Sequence, residues 1–104
     1  MKFTKEQSRE LFHLLNAEEQ DELLKLCRFS PQMEATLIYT RLNGYTRIDA
    51  TRIVYGLKEK DLVNIDNYEE RFKKLRSKAE ERLLNVLNGK KNGEYTKLFK
   101  QYKQ

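Results

Sequence analysis

Residues 40–63 read TRLNGYTRIDATRIVYGLKEKDLV, and this stretch decides the fold expected for the chain. Gly44 separates two helical patterns, because glycine readily ends one helix and lets the chain turn into the next. After it, Thr46 is suited to cap a helix that runs to about Lys60. Four apolar residues recur in that helix at the spacing i, i+3, i+4 and i+7, which lines one helical face. They are Ala50, Ile53, Val54 and Leu57. The stretch therefore predicts a helix, a turn and a second helix.

The opposite face of the second helix predicts a surface that reads DNA. With the apolar stripe turned inward, Arg47, Ile48 and Thr51 face outward together with Arg52 and Tyr55. A B-form major groove admits one helix, arginine reaches guanine or phosphate, and an exposed aliphatic side chain meets a thymine methyl group. The helix N-terminus at Thr46 is also a place where backbone N–H groups hold a phosphate. The candidate nucleic-acid-binding residues are Thr46, Arg47, Thr51, Arg52, Tyr55 and Lys58.

The same stretch resembles the helix-turn-helix of winged-helix repressors of the MarR type. In that family a helix ends at a turn glycine, and a recognition helix follows with a Thr-Arg-aliphatic-Val centre and a closing phrase rich in Leu, Glu and Lys. Here Gly44 matches the turn, residues 51–54 match the centre and residues 57–63 match the closing phrase. The resemblance covers about a quarter of the chain. It implies a DNA-binding regulator of transcription or replication whose helix 46–60 enters the major groove.

The sequence departs from the MarR pattern at three points. Asn43 occupies a position where the family has a buried aliphatic residue, Asp61 replaces a glycine, and no clear second wing strand follows Ile65. Residues 61–66 alternate weakly between apolar and polar types, which is compatible with a short strand or with an extended link. Two interpretations stay open at this point: a recognition helix, or a purely architectural helix pair, since glycine commonly joins two amphipathic helices.

The remaining sequence favours helix nearly everywhere, because one proline and four glycines punctuate a chain rich in Leu, Glu, Lys, Arg and Gln. Thr4 and Asn16 are placed to cap the first two helices, and Ser30 caps the third with Pro31 at its first position. We expect the first two helices to turn a common set of apolar residues inward. These residues are Leu11, Phe12, Leu14, Leu15, Leu23, Leu24, Leu26 and Cys27.

The whole pattern predicts an all-α fold, a small bundle of five to six helices in one domain spanning residues 1–104. Its parts are a helix-turn-helix core at 31–63, a long amphipathic helix at 67–88 and a C-terminal helix at 94–103. The long helix has a near-heptad apolar seam, so it either covers the domain or pairs with a second copy in a homodimer. The seam residues are Tyr68, Phe72, Leu75, Ala79, Leu83 and Val86. The C-terminal helix repeats Tyr95, Leu98, Phe99 and Tyr102 at helical spacing, a face that suits the core or a protein partner.

The charge distribution favours a polyanionic partner, here double-stranded DNA. The formal net charge is +5; residues 1–57 hold eight basic and eight acidic side chains, whereas residues 58–104 hold thirteen and eight. Lysine and arginine that neutralise phosphates release counterions, which gives affinity without sequence preference. Basic helices also occur on proteins that touch no nucleic acid, and the basic run from Arg71 to Arg82 is expected first of all to be the exposed face of the long helix.

Composition argues against several other classes of function. The single cysteine, Cys27, allows no internal disulfide, and with the single histidine, His13, it cannot complete a structural zinc site. The sequence has no pair of carboxylates within an apolar run, no glycine-rich phosphate loop and no nucleophile elbow, so we expect neither an enzyme nor a cofactor. No apolar run approaches the roughly 20 residues of a membrane span, so we expect a soluble cytoplasmic protein. The alternative function is that of a protein-binding adaptor or inhibitor, such as a mobile-element or phage factor that docks on a host protein through amphipathic helices.

Overall fold

The computed structural model describes all residues from 1 to 104 and contains six α-helices and no strand, with 79% of the residues helical. This composition confirms the all-α expectation. In chain order the helices are α1 Lys5–Leu14, α2 Ala17–Cys27, α3 Pro31–Leu37, α4 Arg47–Tyr55, α5 Ile65–Leu87 and α6 Asn92–Tyr102. None of the six is both long enough and apolar enough to cross a bilayer.

The helix starts follow local capping chemistry, as the sequence predicts. At α1 the Thr4 hydroxyl accepts the Gln7 N–H at 3.2 Å, while the Gln7 side chain accepts the Thr4 N–H at 3.0 Å. At α2 the same reciprocal pair joins Asn16 and Glu19 at 2.8 and 3.0 Å. Ser30 caps α3 through its hydroxyl. These bonds satisfy N–H groups that lack a partner inside the helix, so each helix begins where its cap lies.

Two segments differ from the expected elements. After α3 the chain continues through a π-helical turn, Ile38–Leu42, in which the Asn43 N–H donates to the Ile38 carbonyl at 2.9 Å. For residues 61–66 the sequence was compatible with a short strand or an extended link. The segment Glu59–Asn64 instead forms a 3₁₀-helix that leads directly into α5. The Asp61 carboxylate accepts the Lys58 N–H at 2.9 Å and so closes a helical turn rather than an extended chain.

The chain divides into two compact units. The first consists of Met1–Arg28 and Glu80–Gln104, the second of Phe29–Ala79, and α5 contributes residues to both. In the first unit α1 packs against α6. Its buried apolar residues are Phe3, Leu11, Phe12, Leu15, Leu23, Leu24, Cys27, Leu83, Leu87, Tyr95 and Phe99.

Helix α6 uses its aromatic residues inside the first unit. Tyr95 and Phe99 are buried, and the Phe99 ring meets Phe3 edge-on with centroids 5.5 Å apart. The Tyr102 hydroxyl donates to Glu19 Oε1 at 2.6 Å. Of the two roles expected for this face, core or contact with a protein partner, Tyr95 and Phe99 take the first.

The second unit is built around the contact of α3 with α4. Its buried residues are Met33, Thr36, Leu37, Ala50, Thr51, Phe72 and Ala79. The apolar seam predicted on the long helix is covered within the chain: Phe72, Ala79 and Leu83 are buried, and the other three seam residues are half-buried. The burial of three of the six seam residues fits the first of the two expected roles, a helix that covers the domain, and the homodimer at residues 67–88 stays a prediction.

Candidate nucleic-acid interface

Local backbone chemistry fixes both ends of α4. The Thr46 hydroxyl accepts the Asp49 N–H at 3.2 Å, so this candidate residue acts as a helix cap. At the other end Gly56 is left-handed, with φ +61°, and the Leu57 N–H donates to the Arg52 carbonyl at 2.9 Å. This is the hydrogen-bond pattern of a glycine-terminated helix. It ends α4 earlier than the predicted boundary near residue 60.

The rotation of α4 about its axis differs from the prediction. Ala50 and Thr51 are both 0% exposed, and the Thr51 hydroxyl donates to the Arg47 carbonyl at 2.7 Å. The prediction that Thr51 faces DNA is therefore wrong. Ile53, predicted in the core, is 42% exposed. The small Ala50 and Thr51 side chains allow close packing between helices, and that contact turns the isoleucine outward.

The exposed face of α4 combines Ile48, Asp49, Arg52 and Ile53. Ile48 and Arg52 lie on the outside, in agreement with the prediction. Arg47 is also exposed, but its Nη2 lies 3.4 Å from Glu69 Oε2, so its charge is partly neutralised. This face therefore presents only part of the set of residues predicted from the sequence.

Beside the end of α4 lies an open groove of about 470 Å³ within the second unit. We call it the basic groove; it is lined by Gln32, Tyr55, Arg71, Lys74, Leu75 and Lys78. Arg71, Lys74 and Lys78 occupy positions i, i+3 and i+7 of α5, which places all three on one helical face. No carboxylate lines the groove, so its potential is positive.

Tyr55 forms the aromatic wall of the basic groove. Its ring packs against Tyr68 at a centroid distance of 5.6 Å, and the Arg71 guanidinium lies 5.5 Å from the centre of the Tyr68 ring. Burial raises the pKa of Tyr55, an effect that the nearby Arg71 opposes. The phenol is thus neutral at physiological pH and retains an O–H group that can donate to an anion.

The spacing of the lysines in the groove disfavours the stability of α5 but favours the binding of an anion such as phosphate. Lys74 and Lys78 are four residues apart on one helix, and like charges at this spacing destabilise a helix by a few tenths of a kcal/mol. An anion held between them removes that repulsion and gains charge-assisted hydrogen bonds. A phosphodiester oxygen is one acceptor that can take such hydrogen bonds.

The candidate residues thus fall into three groups. Thr46 and Thr51 are engaged in the helix itself, Arg47 is paired, and Arg52, Tyr55 and Lys58 have exposed or groove-lining positions. The sequence interpretation assigned the basic run of α5 to a solvated face and so missed its groove. The available signal was the i, i+3, i+7 spacing of its cations, but their proximity to Tyr55 and Gln32 depends on tertiary packing.

No protein-family model matches this sequence, and neither a curated protein nor a solved structure shows detectable similarity to it. The resemblance to the MarR helix-turn-helix stays a prediction that depends on residues 40–63. Most of the segment matched to the closing phrase of that family, residues 57–63, lies in the 3₁₀-helix Glu59–Asn64.

Proposed function

We propose that the protein binds double-stranded DNA through its second unit. In this proposal the basic groove holds the phosphate backbone, and the exposed face of α4 enters the major groove. The observation that carries the proposal is the basic groove itself, three cations on one face of α5 beside a neutral tyrosine, with no carboxylate among the lining residues. Such sites attract phosphates whatever the base sequence, so they supply affinity.

The exposed face of α4 supplies the sequence preference in this proposal. Arg52 can donate to guanine O6 and N7, and Ile48 can contact a thymine methyl group. Asp49 lies on the same face and repels phosphates, but its carboxylate can accept a hydrogen bond from cytosine N4. The face therefore has a donor, an acceptor and an apolar contact within one turn and a half of helix.

The salt dependence of binding follows from the number of cations involved. If the three groove cations, Arg71, Lys74 and Lys78, each neutralise one phosphate, the logarithm of the association constant falls against the logarithm of salt concentration with a slope of about −2.7. Fluorescence anisotropy with labelled duplexes at several salt concentrations measures this slope. A slope near zero, or no binding at low salt, contradicts the proposal.

Charge variants test the groove directly. The triple variant Arg71→Gln, Lys74→Gln, Lys78→Gln removes the three cations, and we expect it to weaken binding at least about tenfold and to bring the slope close to zero. A matched control, Lys2→Gln, Lys5→Gln, Lys97→Gln, removes the same charge from the first unit and leaves most of the affinity intact. Equal losses in the two triple variants mean that only net charge matters, which contradicts a groove-specific site.

A further inference from the structure

Helix α2 exposes a leucine that its sequence pattern assigns to the core. Leu26 is 42% exposed, although Leu23, Leu24 and Cys27 on the same helix are buried. Two shallow grooves of about 420 and 250 Å³ meet at this residue. The larger is lined by Glu22, Lys25, Leu26, Arg28 and Lys91. The smaller adds Val86, Gly89 and Lys90 to Leu26 and Lys91, so Leu26 sits in an apolar depression with a basic rim.

The exposed face of α2 changes sign along the helix axis. Its first half carries exposed carboxylates, and its end carries exposed cations. The carboxylates are Glu18 and Glu22, and the cations are Arg28 with the neighbouring Lys90 and Lys91, whereas Asp21 and Lys25 already pair with each other at 3.1 Å. We call this surface, centred on Leu26, the α2 face. Glu18 and Glu22 precede Leu26 on the helix and Arg28 follows it, so these carboxylates and the guanidinium lie on opposite sides of the leucine along the axis.

Arg28 occupies a backbone position that favours glycine. It ends α2 in the left-handed conformation, at φ 52°, and it is the one residue other than glycine with positive φ in the chain. Glycine adopts this conformation at helix ends without the steric penalty that a side chain introduces. The arginine side chain is therefore retained at a conformational cost, and it lies on the rim of the Leu26 depression.

We propose that a second copy of this chain docks on the α2 face, with the two α2 helices crossing antiparallel at Leu26 about a two-fold axis. The two Leu26 side chains then cover each other and Val86. With a rise of 1.5 Å per residue, Glu22 lies about 6 Å from Leu26 toward the helix N-terminus. In an antiparallel pair the C-terminal end of the other α2, with its Arg28, lies on that side of the crossing point. Glu18 lies about 12 Å from Leu26, about one turn further in the same direction.

Self-association fits the α2 face better than an acidic peptide does. A two-fold interface brings the same patch of each copy together, so a surface with both signs of charge can satisfy itself twice. An acidic peptide pairs with the basic half but leaves Glu18 and Glu22 facing like charge. The proposal uses residues of the first unit alone and does not depend on DNA binding, so its test contains no DNA.

Analytical ultracentrifugation measures the association. Because the interface is small, we expect a dissociation constant of about 10–100 µM, so the mass rises from 12.5 kDa toward twice that value near 200 µM protein. Leu26→Asp makes the chain monomeric at this concentration, while the control Ile48→Asp, on an exposed isoleucine of the second unit, leaves the dimer intact. A monomeric wild-type chain at 200 µM, or a Leu26→Asp variant that still dimerises, overturns the proposal.

Charge reversal tests the antiparallel pairing. One double variant carries Glu18→Lys and Glu22→Lys, and the other carries Arg28→Glu and Lys91→Glu. We expect each variant alone to be monomeric and their equimolar mixture to form a heterodimer. Failure of the mixture to associate, with circular dichroism showing both variants folded, overturns the pairing.

Arg28→Gly separates a role in the dimer from a purely structural role, because we expect it to change thermal stability and dimer affinity in opposite directions. It relieves the left-handed conformation and raises the thermal midpoint by a few degrees, yet it weakens the dimer. A variant that is more stable and dimerises as before overturns the role of Arg28.

Discussion

Arg47 Nη2 lies 3.4 Å from Glu69 Oε2, an ion pair between the start of α4 and the first turns of α5. The two side chains differ in accessibility, since 42% of the arginine side chain is exposed but only 14% of the glutamate side chain. The arginine can therefore reach solvent while the carboxylate stays beneath it. In the proposed complex this carboxylate competes with a phosphate for the Arg47 guanidinium.

We expect Glu69→Gln to strengthen DNA binding about threefold to tenfold, because it removes the competing charge and lets Arg47 neutralise one more phosphate. The slope against salt becomes steeper by about 0.9. Anisotropy titrations measure both quantities. Glu81→Gln makes the same change in net charge on the exposed surface of α5, so an equal gain in that control shows that Arg47 has no special part in binding.

The buried Thr51 and the exposed Arg52 separate stability from binding. Thr51→Val keeps the volume but removes the hydroxyl that donates to the Arg47 carbonyl at 2.7 Å, so we expect the free energy of unfolding to fall by about 1 kcal/mol. DNA affinity stays unchanged. Arg52→Gln is expected to lower DNA affinity about tenfold and to change the free energy of unfolding by less than about 0.5 kcal/mol. Urea unfolding and anisotropy test the pair; a large affinity loss in Thr51→Val contradicts its internal role.

Glycine substitutions test the end of α4. Gly56→Ala places a side chain at φ +61°, and we expect it to lower the free energy of unfolding by about 1 kcal/mol. Gly93, in the first turn of α6, has open space around it and no positive φ, so Gly93→Ala is neutral or stabilising by up to about 0.5 kcal/mol. Similar destabilisation in both variants is inconsistent with a specific left-handed requirement at Gly56.

A bidentate ion pair in the first unit predicts an asymmetric response to mutation. Arg9 donates from Nε to Glu80 Oε1 at 3.1 Å and from Nη2 to Oε2 at 2.7 Å, and this bonding raises the pKa of Arg9. The Glu80 side chain is only 8% exposed. Arg9→Gln leaves a buried carboxylate without this partner, so we expect a loss of about 2 kcal/mol in unfolding free energy, against about 1 kcal/mol for Glu80→Gln.

An exposed ion pair of the same length serves as the control for that comparison. Lys103 Nζ lies 2.7 Å from Glu10 Oε1, with both side chains about half exposed. Lys103→Gln should change the free energy of unfolding by less than about 1 kcal/mol, because solvent screens the pair. A loss as large as that of Arg9→Gln means that burial does not decide the value of these pairs.

Cys27 predicts the alkaline limit of stability. Burial raises the pKa of its thiol to about 12, although Arg82 acts in the opposite direction. Between pH 9 and pH 12 the unfolded chain releases a proton that the folded chain keeps, so the free energy of unfolding falls as pH rises, by at most about 1.4 kcal/mol per pH unit. Below pH 8 this stability is fully present.

Urea unfolding between pH 8 and pH 10 measures that slope. The window is chosen because the raised pKa values of Tyr55, Tyr95 and Tyr102 act in the same direction at higher pH. Cys27→Ala lowers stability through the cavity it leaves, but its dependence on pH in this window is flatter. An unchanged slope in the variant assigns the alkaline loss to another group.

Most helix starts could be predicted because their causes are local. Thr4, Asn16, Ser30 and Thr46 cap the helices that the sequence assigns to them, and Gly44 turns the chain at φ +73°. The last two helices are the exceptions, since α5 begins directly after a 3₁₀-helix and α6 begins at Lys91 without a side-chain capping bond. At α5 the preceding helical turn supplies the geometry that a cap otherwise provides.

The basic groove could be anticipated only in part. The cations of α5 are regularly spaced in the sequence, but the side chains that complete the groove, Gln32 and Tyr55, come from two other helices. Which helices approach each other depends on contacts far apart in the chain. A periodic pattern identifies a charged face, and tertiary packing decides whether that face borders a groove.

By itself the sequence determined the all-α class, the positions of the caps and turns, and the excess of positive charge in the second half of the chain. Only the tertiary structure decided the rotation of α4, which buries Thr51, and the exposure of Leu26 on α2. The physical reason is that capping bonds join residues three or four positions apart, whereas the face that a short helix buries depends on the side chains that a distant segment brings against it.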